Sequence, residues 1–247
     1  MDEIELIFND TTNILSIDVG MNNLALYIES INIDNVIKLK NISMNNRYDK
    51  NGECTDDMNK LLNNLYKCGD KVWIDKVNIT SENDKFIIGK KKRRVVDNNM
   101  LIRLTDYLQS NKHIFDNVNT IIIENQMKTN PNAQQLQYHI RAWFLINYTN
   151  NGIFNKQFIC FPSKYKTQIL GCYKKLLNKN NILTKITKTQ RKNWAKVVAK
   201  NILNQRNDID TINYIFVENK SKADDLSDCI CQCYAYIYLK YLCKTNF

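Results

Sequence analysis

The chain has 247 residues, with 35 Lys and Arg against 25 Asp and Glu, a formal net charge of +10 and 44% hydrophobic residues. That length suits a single domain with a substantial core, which excludes a disordered chain and a disulfide-stapled mini-fold. No apolar run approaches the roughly 20 residues that cross a bilayer, and MDEIELIFND has neither the basic start of a secretory signal nor the Arg-rich bias of a transit peptide, so no membrane partner is expected.

In chain order, NILSIDVG (13–20) predicts a buried strand running into a turn glycine. NLALYIES and NIDNVIKLKNI predict two more strands, an opening meander. Residues 46–96 read as an insertion between strand 3 and the first core helix of one domain spanning 1–247. That segment holds a short amphipathic helix near 56–67 and a basic hairpin, KKKRR between FIIG and VV. Met100, Leu101, Leu104 and Leu108 have helical spacing, with His113 just beyond. NTIIIE is an apolar strand ending in a carboxylate. Pro131 starts a helix running to about 147, followed by the strand QFICF. A Lys-rich helix is predicted over 189–205 and a last helix over 222–243. The order β-β-β-α-β-α-β-α implies an α/β domain, a mixed sheet with helices on it. The eight cysteines include CICQC but no CxxC pair. They read as small hydrophobes in an intracellular, reducing compartment rather than as zinc ligands. His113 and His139 read as structural or surface residues, and with six glycines and no GxxxxGK[ST] loop a P-loop enzyme is not expected.

Charge is distributed unevenly. Between Glu124 and Asp208 there is no acid, while fifteen cations, from Lys128 and Arg141 through Lys164, Lys166, Lys188, Arg191 and Lys192 to Arg206, fall in that stretch. Such a surface is expected to meet phosphate, with counterion release supplying affinity.

Against it stand four carboxylates. Asp18 and Glu124 each end an interior strand, where an unpaired carboxylate is costly. Asp225 and Asp228 in KADDLSD are three apart and share a helical face near its first turn. Two neighbouring acids repel, so a positive group should lie between or above them. Asp224 has the spacing of a cap with Ser221. Acids from two strands and one helix, beside a basic surface, suggest two divalent ions of the oxygen-seeking kind, Mg²⁺ or Mn²⁺, hydrolysing phosphodiesters.

ILSIDVGMNNLAL, TIIIENQ and KADDLSDCICQCYAYI together resemble the RuvC-type Holliday junction resolvases of the RNase H-like superfamily. The DD-x-x-D form and the preceding RKNW helix most resemble the branch from poxviruses and other large DNA viruses. The likeness covers residues 13–45 and 97–243. It implies an RNase H-like fold with a five-stranded mixed sheet. It places the metal-binding, catalytic acids on Asp18, Glu124, Asp225 and Asp228, holding two Mg²⁺ per site, with Mn²⁺ able to substitute. Gln126 falls on the Glu-x-Gln position of the viral branch. The family further implies a homodimer on a four-way DNA junction, making symmetric nicks that leave 5′-phosphates. For a viral protein the place of action would be the host-cell cytoplasm. Gln126, Lys128, Lys164, Lys188, Arg191 and Lys192 are the candidate DNA contacts. Met127 stands where bacterial relatives carry a junction-probing aromatic. Competing readings are an actin-like ATPase, which also opens on IDVG, another RNase H-like nuclease acting on RNA–DNA hybrids or in transposition, and a non-catalytic junction binder.

Overall fold

The structure is a computed structural model that describes residues 11–82, 84–88, 91–127, 129–177 and 182–246. Strands β1 (Thr11–Asp18) and β2 (Leu24–Asn32) form an antiparallel pair. A short helix α1 (Ile33–Ile37) and helix α2 (Asp56–Tyr66) then lead to β3 (Gly69–Val77), antiparallel to β2. The hairpin β4 (Lys85–Ile88) and β5 (Lys91–Arg94) precedes α3 (Asn98–Ser110) and α4 (Lys112–Phe115). Strand β6 (Thr120–Glu124) lies parallel to β1 on its other side. Helix α5 (Pro131–Tyr148), the two-residue strands β7 (Thr149–Asn150) and β8 (Ile153–Phe154), and β9 (Gln157–Phe161) follow. The main sheet runs β3-β2-β1-β6-β9, five strands, mixed. The chain closes with α6 (Lys164–Ile169), the hairpin β10 (Lys175–Leu177) and β11 (Leu183–Lys185), α7 (Lys188–Asn204), α8 (Ile209–Asn213) and α9 (Ala223–Ile237), which runs on as a π-turn to Leu242.

Side chains alternate across the sheet, and the alternation divides the core in two. Ile14, Ala25, Tyr27 and Ile122 pack against α2, α7 and α9. Leu15, Ile17, Leu26, Ile121 and Ile123 pack against α3, α4 and α5. Helix α9 is buried almost all round, from Leu226 through Cys229, Cys231 and Cys233 to Ile237, as expected for a helix held between a sheet and other helices. Its cysteines are free and buried.

The third strand departs from expectation. NIDNVIKLKNI does not extend the meander. The Asn32 side chain accepts from the Asn35 N–H at 2.8 Å and caps a helical turn that buries Val36. The third position in the sheet goes to β3, inside the segment read as an insertion. Helix α2 of that segment adds Met58, Leu61, Leu62 and Leu65 to the core. What separates strand 3 from the first core helix is therefore the stretch from 78 to 97 with its basic hairpin. The basic run Lys91–Arg94 is the second strand of its hairpin, paired with Lys85–Ile88, rather than the turn between FIIG and VV. The remaining predicted helices and strands form with ends shifted by a few residues. The α7 start carries a capping box, Thr187 with Gln190, whereas Ser221 makes no cap: α9 begins after Lys222 without a side-chain cap bond.

Candidate active site

The register that pairs Ser16 with Ile122 and Ile17 with Ile123 brings the next residues, Asp18 and Glu124, to the C-terminal ends of two adjacent parallel strands. Alternation turns both toward the α9 face. Helix α9 is seated there by polar contacts: the Ser16 hydroxyl donates to the Cys229 carbonyl at 2.8 Å, and the buried Gln232 amide donates to Ser16 Oγ at 3.1 Å and to the carbonyls of Ile17 and Ile122 at 3.3 Å. These bonds fix the helix against both acid-bearing strands, and its first two turns carry Asp225 and Asp228 to the same edge. A cleft of about 370 Å³, lined by Asp18, the turn from Val19 to Asn23 and Asp225, opens there.

The positive group required by four acids is Lys166. Its ammonium lies 3.0 Å from Glu124 Oε2 and 3.2 Å from Asp228 Oδ1, on a side chain only 9% exposed. Burial opposes its charge, yet Asp228, Glu124 and Asp18 hold its pKa above the ordinary lysine range. Lys192 is the second cation: it pairs with Asp224 and lies 3.9 Å from Asp225. Asp224 is thereby an ion-pair partner tying α9 to α7, not a cap. Even so, burial together with Glu124 pushes the Asp18 carboxyl well up, burial together with Asp224 raises Asp225, and burial raises Asp228 against the pull of Lys166. The edge carries more negative charge than its two lysines balance.

Among the described residues no three acidic, His or Cys side chains converge as a ready-made set of metal ligands. The chemistry of the donors nevertheless suits a divalent cation: four carboxylates, hard oxygen donors, three of them with carboxyl pKa values raised by crowding and burial, a strain that added positive charge relieves.

The predicted DNA contacts divide. Lys164, Lys188 and Arg191 are exposed, the last two in the first turn of α7, where the helix dipole disfavours cations. Lys192 belongs to the carboxylate edge. Gln126 turns inward: its N–H donates to Gln137 Oε1 and its amide to the Glu124 carbonyl, each at 3.3 Å. Lys128 lies outside the described residues, and Met127 is 72% exposed. Two members of the cation-rich stretch face the interior rather than a phosphate surface. One is Lys166. The other is Arg206, which donates to Gly69 O and Tyr234 OH at 3.1 Å and to Tyr27 OH at 2.7 Å and pairs with the buried Glu29.

Lys166 is the site residue that the sequence reading missed. The repulsion expected between Asp225 and Asp228 called for a cation, and Lys166 follows the end of QFICF, the strand that pairs with TIIIE, by five residues. Nothing in its spacing distinguishes it from Lys164, because α6 is a six-residue helix without a side-chain cap bond.

No family model matches the chain. Uncharacterized protein 170L of Invertebrate iridescent virus 6 is 34% identical over 143 residues, 54% of this chain and 56% of that protein, so the match spans little more than half the relative's length. Uncharacterized protein 97L of Invertebrate iridescent virus 3 is 24% identical over 231 residues, 90% of this chain and 98% of that protein. Among solved structures, RuvC of Thermus thermophilus superposes with a TM-score of 0.45 at 10% identity, over 93% of this chain and 98% of that one. The yeast mitochondrial Holliday junction resolvase Ydc2 superposes with a TM-score of 0.50 at 13% identity, over 95% of this chain and 86% of that one. At such identity the likeness establishes architecture alone, the RNase H-like fold of a mixed five-stranded sheet flanked by helices.

Proposed function

We propose that the chain is a divalent-metal-dependent endonuclease that resolves four-way DNA junctions. The observation that carries this reading is the meeting of Asp18, Glu124, Asp225 and Asp228 at one sheet edge, in a fold matched by a junction resolvase. Asp18, Glu124, Asp225 and Asp228 would hold two Mg²⁺, or Mn²⁺ in their place, which when bound would supply Lewis-acid activation of water and charge neutralisation at the leaving oxygen. The chain's own groups do the rest. Gln232 and Ser16 keep α9 in register with the strands. Lys166 holds Glu124 and Asp228 in place by a charge-assisted contact on each. Lys188 and Arg191 offer exposed positive charge to phosphates at the start of α7.

In this reading the products carry 5′-phosphates, and a homodimer sets two such edges about a dyad matching the junction's own symmetry. The iridescent-virus relatives support a viral origin; membership of the large DNA virus branch of resolvases and action in the reducing host-cell cytoplasm are further parts of this proposal. The test is cleavage of a fixed four-way junction, each arm labelled in turn, beside a linear duplex and an RNA–DNA hybrid of the same sequence. Paired nicks at the junction that vanish in EDTA are expected. Cutting of the hybrid alone would assign a different RNase H-like nuclease, and tight binding without cutting in Mg²⁺ or Mn²⁺ would reduce the chain to a junction binder.

A further inference from the structure

A second cleft, of about 650 Å³, opens beside α6 and the start of α7. Its walls include Tyr48, Cys172, Tyr173 and Ile186, and its lining carries four cations, Lys174, Lys175, Lys185 and Arg191, but no acid. None of those four forms an ion pair with another described residue. One wall is a loop from the segment read as an insertion, and it is stitched in place. Asn51 accepts from the Lys174 N–H at 2.8 Å through its carbonyl and from the Lys175 N–H at 3.0 Å through its side chain, whose amide donates to the Lys175 carbonyl at 3.1 Å. The Tyr48 hydroxyl donates to the Ile169 carbonyl at 2.8 Å.

Two glycines permit this approach. Gly171 (φ 75°) lies against Cys54 so closely that a Cβ there would overlap it, and a Cβ on Gly52 (φ 92°) would sit 3.1 Å from Lys174 Cε. The loop's acids are engaged within it: Asp49 accepts from the Glu53 N–H, and Glu53 from the Asn51 amide.

The cleft is coupled to the carboxylate edge by neighbouring residues. Lys166 faces the acids and Thr167 the cleft; Lys192 faces the acids and Arg191 the cleft. Apolar, partly aromatic walls with an unpaired cationic lining are what a base with its phosphates needs, and neither a bare anion nor an apolar peptide matches both. The volume lies within the usual range for a bound small molecule.

We propose that this cleft takes one unpaired nucleotide of the DNA substrate, its base against Tyr173 and its phosphates on Lys174, Lys185 and Arg191. The proposal rests on the nuclease reading for its ligand and adds to it a preference for unpaired strand beside the cut.

The test is binding of a fluorescein-labelled dT12 strand, and of the same strand with abasic residues, at low salt without divalent ions. The intact chain should bind dT12 about 10-fold more tightly than the abasic strand, the difference made by one base–aromatic stack. Tyr173→Leu, which leaves charge unchanged, should erase that difference; Tyr173→Phe, which keeps the ring, should retain it. Lys174→Ala and Lys185→Ala should weaken both strands alike. Equal affinity for the two strands, or a preference surviving Tyr173→Leu, overturns the pocket. Junction cleavage in Mg²⁺ by the intact chain separates the two ideas. Cutting with a Tyr173-insensitive preference sinks the pocket alone, whereas a Tyr173-dependent preference without cutting sinks the junction-nuclease reading and upholds the pocket.

Discussion

At the scale of single residues, the carboxylate edge is a cluster whose charges are balanced only in part. Asp225 stands 3.9 Å from Lys192 and closes the cleft opposite Asp18. Asp225→Asn removes a proposed metal ligand and no phosphate-facing cation. Cleavage of a junction should fall on the order of 10³-fold while junction affinity in EDTA changes less than about twofold; gel-shift and cleavage assays on one preparation decide it. Asp18 gives a stability test with a definite sign. Its folded pKa is raised, so the native state binds more protons than the unfolded state between the two pKa values, and its stability falls as pH rises through that window. Asp18→Asn should therefore raise the Tm of the metal-free protein at pH 7 by a few degrees, and the gain should vanish toward about pH 4. A gain that persists at pH 4 would locate the effect elsewhere.

At the scale of elements, two cations join parts that the chain order separates. Lys166 ties α6 to β6 and α9. Lys166→Met should lower the Tm in EDTA, because the acids lose a partner, and should enlarge the rise in Tm on adding Mg²⁺, because an ion replaces the missing charge. An equal Mg²⁺ response in both proteins would argue that Lys166 and the ion do not share a site. Arg206, just past α7, joins β2 through Tyr27 and Glu29, the start of β3 through Gly69, and α9 through Tyr234. Glu29 lies at the register shift of the β2–β3 pairing and is fully buried, so Arg206→Met leaves a buried carboxylate without its cation. A loss of about 3–5 kcal/mol by urea unfolding is expected. A loss under about 1 kcal/mol would mean that the two tyrosine hydroxyls suffice.

At the scale of the whole molecule, the excess positive charge lies in the acid-free stretch between Glu124 and Asp208. Lys188 and Arg191 are exposed at the start of α7, where Arg191 lines the second cleft. Replacing both by Ala should reduce the slope of log affinity against log salt by about two phosphate contacts, each about 0.9 for duplex DNA. An unchanged slope would move the DNA path away from α7. The same site would have to be presented twice for symmetric nicking, so sedimentation of the free chain should give twice the monomer mass.

Most of the framework was readable without a structure. ILSID and TIIIE are short apolar runs ending in a carboxylate, too short for a core helix and rich in β-branched residues, which fits strands buried on both faces, and DDLSDCIC carries two acids at helical spacing on an otherwise apolar helix. Local patterns of this kind determined which acids are functional candidates and that the domain is α/β. Tertiary structure decided what depends on partners distant in sequence. The third strand is β3 rather than residues 32–42, because Asn32 caps a helix and the edge of β2 is filled from 69–77. Lys166 and Arg206 look like surface cations in a basic stretch, but carboxylates far away in sequence draw them inward, Glu124 at 42 residues from Lys166 and the buried Glu29 at 177 from Arg206. Lys192 and Asp224 choose each other across 32 residues, overriding the local capping pattern at Ser221. Periodicity reports which face of an element is apolar; it carries no information about which charge waits on the facing element, and electrostatic pairing across the fold settles that.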